Sequence, residues 1–131
     1  MILLDTCALI FDALTPEKLT TKAKKAIELA ERQNKLFCCD ISLWEIAMLI
    51  QKKRLEPGVE ASVFLELTLT ARQIQVLPIT SEIASLSCES ELCQQGDPAD
   101  RLIAATALYH HATLVTSDQK LKNISKLDII W

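Results

Sequence analysis

With 131 residues, 50% of them hydrophobic and 24% charged, the chain has the length and composition of one ordinary globular domain rather than a disordered segment. Its formal net charge of -3 excludes a protein that holds nucleic acid by a generally basic surface. The cysteines, Cys7, Cys38, Cys39, Cys88 and Cys93, form no C-x-x-C pair and read as small buried hydrophobes of a reducing cytoplasm. Their spacings with His110 and His111 fit no common zinc pattern.

In chain order, residues 1–4 form a short apolar run that ends at Asp5 and Thr6, as a buried strand does on reaching a polar edge. The opening MILLDTCALIF carries Asp5 in its middle, has no basic leader, and falls short of the roughly 18 apolar residues of a membrane span. It predicts a mature N-terminus entering a cytoplasmic fold directly. Residues 16–32 place Leu19, Ala23, Ala26, Ile27 and Ala30 at helical spacing, with Lys18, Lys22, Lys24 and Lys25 outside. Those lysines read first as a solvated face and second as a phosphate-facing patch.

Residues 36–39 predict a second strand. A helix follows over 42–54, where Ser42 and Glu45 match an S-x-x-E capping box. It carries two apolar stripes, one of Leu43, Ile46, Ala47 and Ile50, the other of Trp44, Met48 and Leu55; a helix apolar on two sides is deeply buried or meets a partner. Pro57 and Gly58 break the chain, helical character resumes over 59–72, and residues 74–77 form a third strand. Residues 81–95 predict one helix with Ile83, Leu86 and Leu92 inward and Gly96 as its C-cap. Asp97 as N-cap and Pro98 at the first position start another, which runs to about residue 111. Residues 113–116 are a fourth strand, 118–123 a short helix and 127–131 a fifth strand.

Short apolar strands separated by helices, without hairpin turns, indicate an α/β fold with a parallel sheet covered on both faces, in a single domain spanning 1–131. Ligands of such sheets bind beyond the carboxyl ends of the strands. Asp5 and Asp118 leave two strands at that end. Glu45 and Asp100 each lie one turn into a helix that starts there, with Asp97 at the cap. Each acid alone has a structural explanation as a cap or dipole partner; their convergence does not. Unit charges ~4 Å apart repel by about 4 kcal/mol at an effective dielectric near 20. A hard divalent cation, Mg2+ or Mn2+, suits an all-oxygen site, with Thr6, Thr116 and Ser117 placed to order its waters. Such an ion brings in and polarises a phosphodiester, which makes hydrolysis of a nucleic-acid backbone the leading expectation.

The set LLDT at 3–6, SLWEIA at 42–47, DPADRLIAATA at 97–107 and LVTSD at 114–118 resembles the PIN-domain family, and within it the VapC-type toxin ribonucleases of toxin–antitoxin pairs. The resemblance runs in order along essentially the whole chain. It implies a PIN-like three-layer domain with a five-stranded parallel sheet, and metal-dependent endoribonuclease activity on structured RNA such as tRNA or rRNA. It also implies a homodimer and inhibition by a cognate antitoxin. By resemblance Asp5, Glu45, Asp100 and Asp118 are the catalytic acids. Asp5, Asp100 and Asp118 bind metal, with Glu45 and Asp97 as further candidates, and Arg101 is either structural or in contact with phosphate. Asp40 is given no family role and reads as a cap or a solvated acid.

Two other acid-bearing α/β classes fit less well. A haloacid-dehalogenase-type phosphatase needs D-x-D after its first strand, where this chain has Cys7; a receiver domain needs a lysine after its last strand, where it reads DIIW. The alternative of a different class is a non-catalytic PIN-like module that binds RNA or protein, which the loss of an acid would favour.

Overall fold

The computed structural model describes residues 1–94 and 96–131, and all of their side chains except that of Ser90. The strands β1 (Ile2–Leu4), β2 (Leu36–Cys39), β3 (Gln75–Leu77), β4 (Thr113–Val115) and β5 (Asp128–Ile130) form one sheet in the order β3-β2-β1-β4-β5. Every pairing is parallel, with Leu3 opposite Phe37 on one side and Leu114 on the other. Side chains alternate across a strand. Leu4, Leu36, Cys38 and Val115 accordingly enter one core and Leu3, Cys39 and Leu114 the other.

The first core is covered by α1 (Thr6–Leu14), α2 (Thr21–Arg32), α3 (Asp40–Gln51) and α4 (Ala61–Arg72), which supply Leu9, Ile27, Ile46 and Phe64. The second is covered by α5 (Ser81–Leu86), α6 (Ser90–Cys93) and α7 (Pro98–His110), with Leu121 from a 3-10 helix at Gln119–Asn123. In α7, Ala99, Ile103, Ala104, Ala105, Thr106 and Ala107 are all buried. Their small side chains let α7 lie close against the sheet and fix where its first turn points.

Several expectations are corrected. Residues 6–14, which carry no separate helical expectation, form α1, started by Asp5 as N-cap. The helix expected over 16–32 is split into a 3-10 turn, Pro16–Lys18, and α2, capped by Thr20. The single helix expected over 81–95 breaks after Leu86: the Ser87 hydroxyl donates to the Ala84 carbonyl, and the Cys88 and Glu89 amides turn back onto Ser85 and Leu86. Its expected end at Gln95 lies outside the described residues. Gly96 is not a left-handed cap, since Gly58 is the only described glycine with positive φ. Left-handed caps are instead made by Gln73 and His111. Of the cysteines expected to be buried, only Cys38 and Cys39 are; Cys7 and Cys93 are exposed because α1 and α6 turn Leu9 and Leu92 inward in their place, and Cys88 is exposed in the turn between α5 and α6.

Candidate active site

The acids meet at the carboxyl edge of the sheet, each held by its own element. Asp5 follows β1 and accepts a hydrogen bond from the Ala8 amide at 2.7 Å, capping α1. The Thr116 hydroxyl, at the end of β4, also bonds its carboxylate. Asp118 accepts from the Lys120 amide at 2.9 Å and starts the 3-10 helix, while its own amide donates to Thr116 at 3.1 Å. Asp97 caps α7 as expected, accepting from the Ala99 amide at 2.9 Å, with Pro98 next in line. Asp100 stands one turn along α7, half-buried, with no role in that cap.

Glu45 departs from its expected local role. Helix α3 begins at Asp40 rather than Ser42, its N-cap is Cys39, and no side chain caps it, so the Ser42/Glu45 capping box does not form. Ser42 is fully buried instead, 3.0 Å from the Thr6 hydroxyl, and the Thr6 hydroxyl donates to the Glu45 carboxylate. The carboxylate is thereby tied to Thr6, the residue after Asp5, rather than to its own helix start. Asp40 neither caps α3 nor is simply solvated: it accepts from the Ile79 amide at 3.1 Å and ties the start of α3 to the loop after β3. Sequence reasoning missed both arrangements, because a capping pattern is local and these partners lie 36 and 39 residues away.

Electrostatics shows how closely the acids crowd. Burial lifts the Asp5 carboxyl to about 6, aided by the charges of Asp118 and Glu45 and opposed by its two hydrogen bonds. Burial lifts Asp100 to about 7, and Asp97, Glu45, Asp118 and Asp5 all add to the rise. Glu45 is raised by burial, against the Thr6 hydrogen bond, with Asp97 pushing it further. Cys7 on α1 reports the same field: partial burial of its thiol and the charges of Asp5, Asp100, Glu45 and Asp118 push it to about 11, so it stays protonated. Among the described residues the ion pairs both belong to Arg72, and no lysine or arginine neutralises these acids. Arg101, half-buried on the first turn of α7, lies beside Asp100 in sequence, and Ser117 is exposed between β4 and Asp118.

Among the described residues, no three His, Cys, Asp or Glu side chains are placed to hold a metal ion between them. The acids at this edge offer carboxylate oxygens alone as donors. An oxygen-only donor set of that kind suits Mg2+, which keeps several of its waters and takes one or two carboxylates directly. It does not suit a dehydrated zinc cage.

A five-stranded parallel sheet with acids gathered beyond its strand ends defines the architecture, and comparison with known proteins gives it a family. The PIN domain model matches residues 2–127, and the chain belongs to that family. It is 32% identical over 122 residues, 93% of this chain and 90% of the relative, to the Ribonuclease VapC22 of Mycobacterium tuberculosis (strain ATCC 25618 / H37Rv). Among solved structures it resembles VapBC2 from Rickettsia felis bound to a DNA fragment from its promoter, with TM-score 0.78, 23% identity, and 99% and 98% of the two chains covered. It also resembles FitAcB from Neisseria gonorrhoeae, with TM-score 0.67, 22% identity, and coverage of 100% and 97%. At those identities the two structures establish the shared fold.

Proposed function

We propose that the chain is a Mg2+- or Mn2+-dependent endoribonuclease that hydrolyses RNA phosphodiester bonds, acting as the toxin of a type II toxin–antitoxin pair. The observation that carries this is the gathering of Asp5, Glu45, Asp100 and Asp118 at one rim, where burial first and the neighbouring acids second raise Asp5 and Asp100, and where no lysine or arginine among the described residues forms an ion pair with them. Once its carboxyls are ionised, such a cluster is stabilised by a bound cation. The ribonuclease name of the M. tuberculosis relative supports RNA as substrate. The toxin–antitoxin complex from Klebsiella pneumoniae, another solved structure with the same fold, supports an antitoxin as partner.

Asp5, Asp100 and Asp118 would hold the ion, one or two of them directly and the rest through its waters, with Glu45 beside them and Asp97 retained mainly as a cap. When bound, the ion supplies positive charge against the phosphodiester and makes water at the site more acidic. The chain's own contribution is positioning. Asp5 is fixed by an amide and a hydroxyl, Asp118 by the Lys120 amide, and Glu45 by Thr6, so the donors are oriented before substrate arrives. Arg101 follows Asp100 in sequence and forms no ion pair with these acids among the described residues; Ser117 offers an exposed hydroxyl to water at the rim, whereas those of Thr6 and Thr116 are buried and hold Glu45 and Asp5.

Trp44, 59% exposed on the outer stripe of α3, offers apolar surface to the antitoxin or to a second copy in a homodimer. No described helix is long and apolar enough to cross a membrane, and we place the protein in the cytoplasm. Purified protein freed of antitoxin is expected to cleave structured RNA in Mg2+ or Mn2+. Absence of cleavage of any tRNA or rRNA in either ion would contradict the reading.

A further inference from the structure

The catalytic rim is acidic and the chain carries a net charge of -3, so the polyanion needs a local foothold. One lies at the β5 edge of the sheet. There Lys22, Lys122, Leu127, Ile129 and Trp131 line an open cavity of about 240 Å³ with no Asp or Glu side chain among them. Lys22 comes from the first turn of α2, which covers one face of the sheet, and Lys122 from the 3-10 helix that covers the other. Both lysines are exposed, and neither pairs with an acid among the described residues.

This cavity joins the acidic rim by a short run of contacts. Trp131 directly follows Ile130, whose carbonyl accepts from the Thr116 amide at 3.2 Å, and the Thr116 hydroxyl bonds Asp5. The Trp131 ring packs at 6.3 Å from Phe11, over which Lys18 places its ammonium at 5.3 Å. Lys18 thus adds a third ammonium one ring away from Trp131.

We propose that the Lys22–Lys122 cavity seats phosphates of the RNA strand that flank the cut, with Trp131 as the apolar wall against which the adjoining nucleoside lies. Two unpaired ammonium groups reaching from opposite layers fit a phosphodiester backbone, whose binding they drive by releasing counterions. Lysines beside an edge strand also serve to block edge-to-edge pairing, and the test separates the two roles.

The proposal rests on the nuclease reading, so binding and cleavage are measured side by side. Binding of a single-stranded oligoribonucleotide is followed in EDTA across a salt series for the wild-type protein, for Lys22→Gln with Lys122→Gln, and for Lys52→Gln with Lys53→Gln just beyond α3. The first double variant is expected to bind about tenfold more weakly at low salt and to lose about 1 to 1.5 from the slope of log affinity against log salt, at roughly 0.7 per phosphate. The second is expected to stay near wild type. An unchanged slope in the Lys22/Lys122 variant, an equal loss in both variants, self-association without a change in RNA affinity, or no wild-type binding in EDTA overturns the proposal. Wild-type cleavage of RNA in Mg2+ or Mn2+ alongside such a result leaves the nuclease reading standing. Failure to cleave alongside the expected salt slopes overturns that reading and leaves the phosphate seat.

Discussion

Asp5 and Asp100 hold their protons to about pH 6 and pH 7, well above the ordinary 3.8. Between about pH 4 and pH 7 the metal-free folded state therefore binds more protons than the unfolded one, and stability falls as pH rises through that window. Asp5→Asn keeps the oxygen that caps α1 while removing the charge. It is expected to raise the stability of the metal-free protein at pH 8 by about 1–3 kcal/mol. Asp100→Asn should do the same more weakly, because its half-buried carboxylate is partly screened. Both should flatten the pH profile and abolish cleavage. Denaturant melts at pH 5 and pH 8 in EDTA check this, and loss of stability in both variants would return these acids to a purely structural role. Thr6→Val probes the neighbouring link: it removes the donor that holds Glu45 and leaves Ser42 without its partner. A cost of about 1–2 kcal/mol is expected on a urea melt, with cleavage reduced beyond the loss of folded protein.

At the scale of elements, α7 separates capping from catalysis. Asp97→Ala removes the acceptor for the Ala99 amide and should cost about 1 kcal/mol, whereas Asp97→Asn should be nearly neutral. Comparable losses in both variants, read by thermal melts, would mean that the charge rather than the cap matters. Ala104→Leu should cost about 1–3 kcal/mol, because Ala104 is fully buried where α7 presses on the sheet. These elements also mark where the sequence was informative. The five strands and the start of α7 were legible from short apolar runs and from Asp97-Pro98, because those signals are local. The start of α3 was not: Ser42 and Glu45 form a capping pattern on paper, but their partner is Thr6 across the fold. The break in the helix expected over 81–95 was likewise hidden, because Ser87, Cys88 and Glu89 carry no proline or glycine to announce the turn that their backbone makes.

For the whole molecule, the topology accounts for the convergence of the acids. A parallel sheet in the order β3-β2-β1-β4-β5 puts β1 and β4 side by side at its centre, so residues leaving each strand meet at one edge whatever their separation in sequence. The convergence could be anticipated from the strand–helix alternation, whereas the basic cavity at the β5 edge could not, since Lys22 and Lys122 lie 100 residues apart and meet only in the fold. Arg72 ties the helical layer together, bridging Asp12 of α1 and Glu31 of α2 at 2.9 Å each. Arg72→Met should cost about 1–3 kcal/mol, because it leaves the nearly buried Asp12 carboxylate unpaired; a neutral result on a denaturant melt would show that the tie is dispensable.

The most direct measurement follows cleavage of one structured RNA by antitoxin-free protein in Mn2+, then in excess EDTA, then after Mn2+ is restored, with Asp100→Asn run in parallel. Cleavage that stops with EDTA, returns with Mn2+ and is absent throughout from Asp100→Asn is the predicted result; cleavage that persists in EDTA, or that Asp100→Asn retains, would contradict a hydrolytic centre built on these acids.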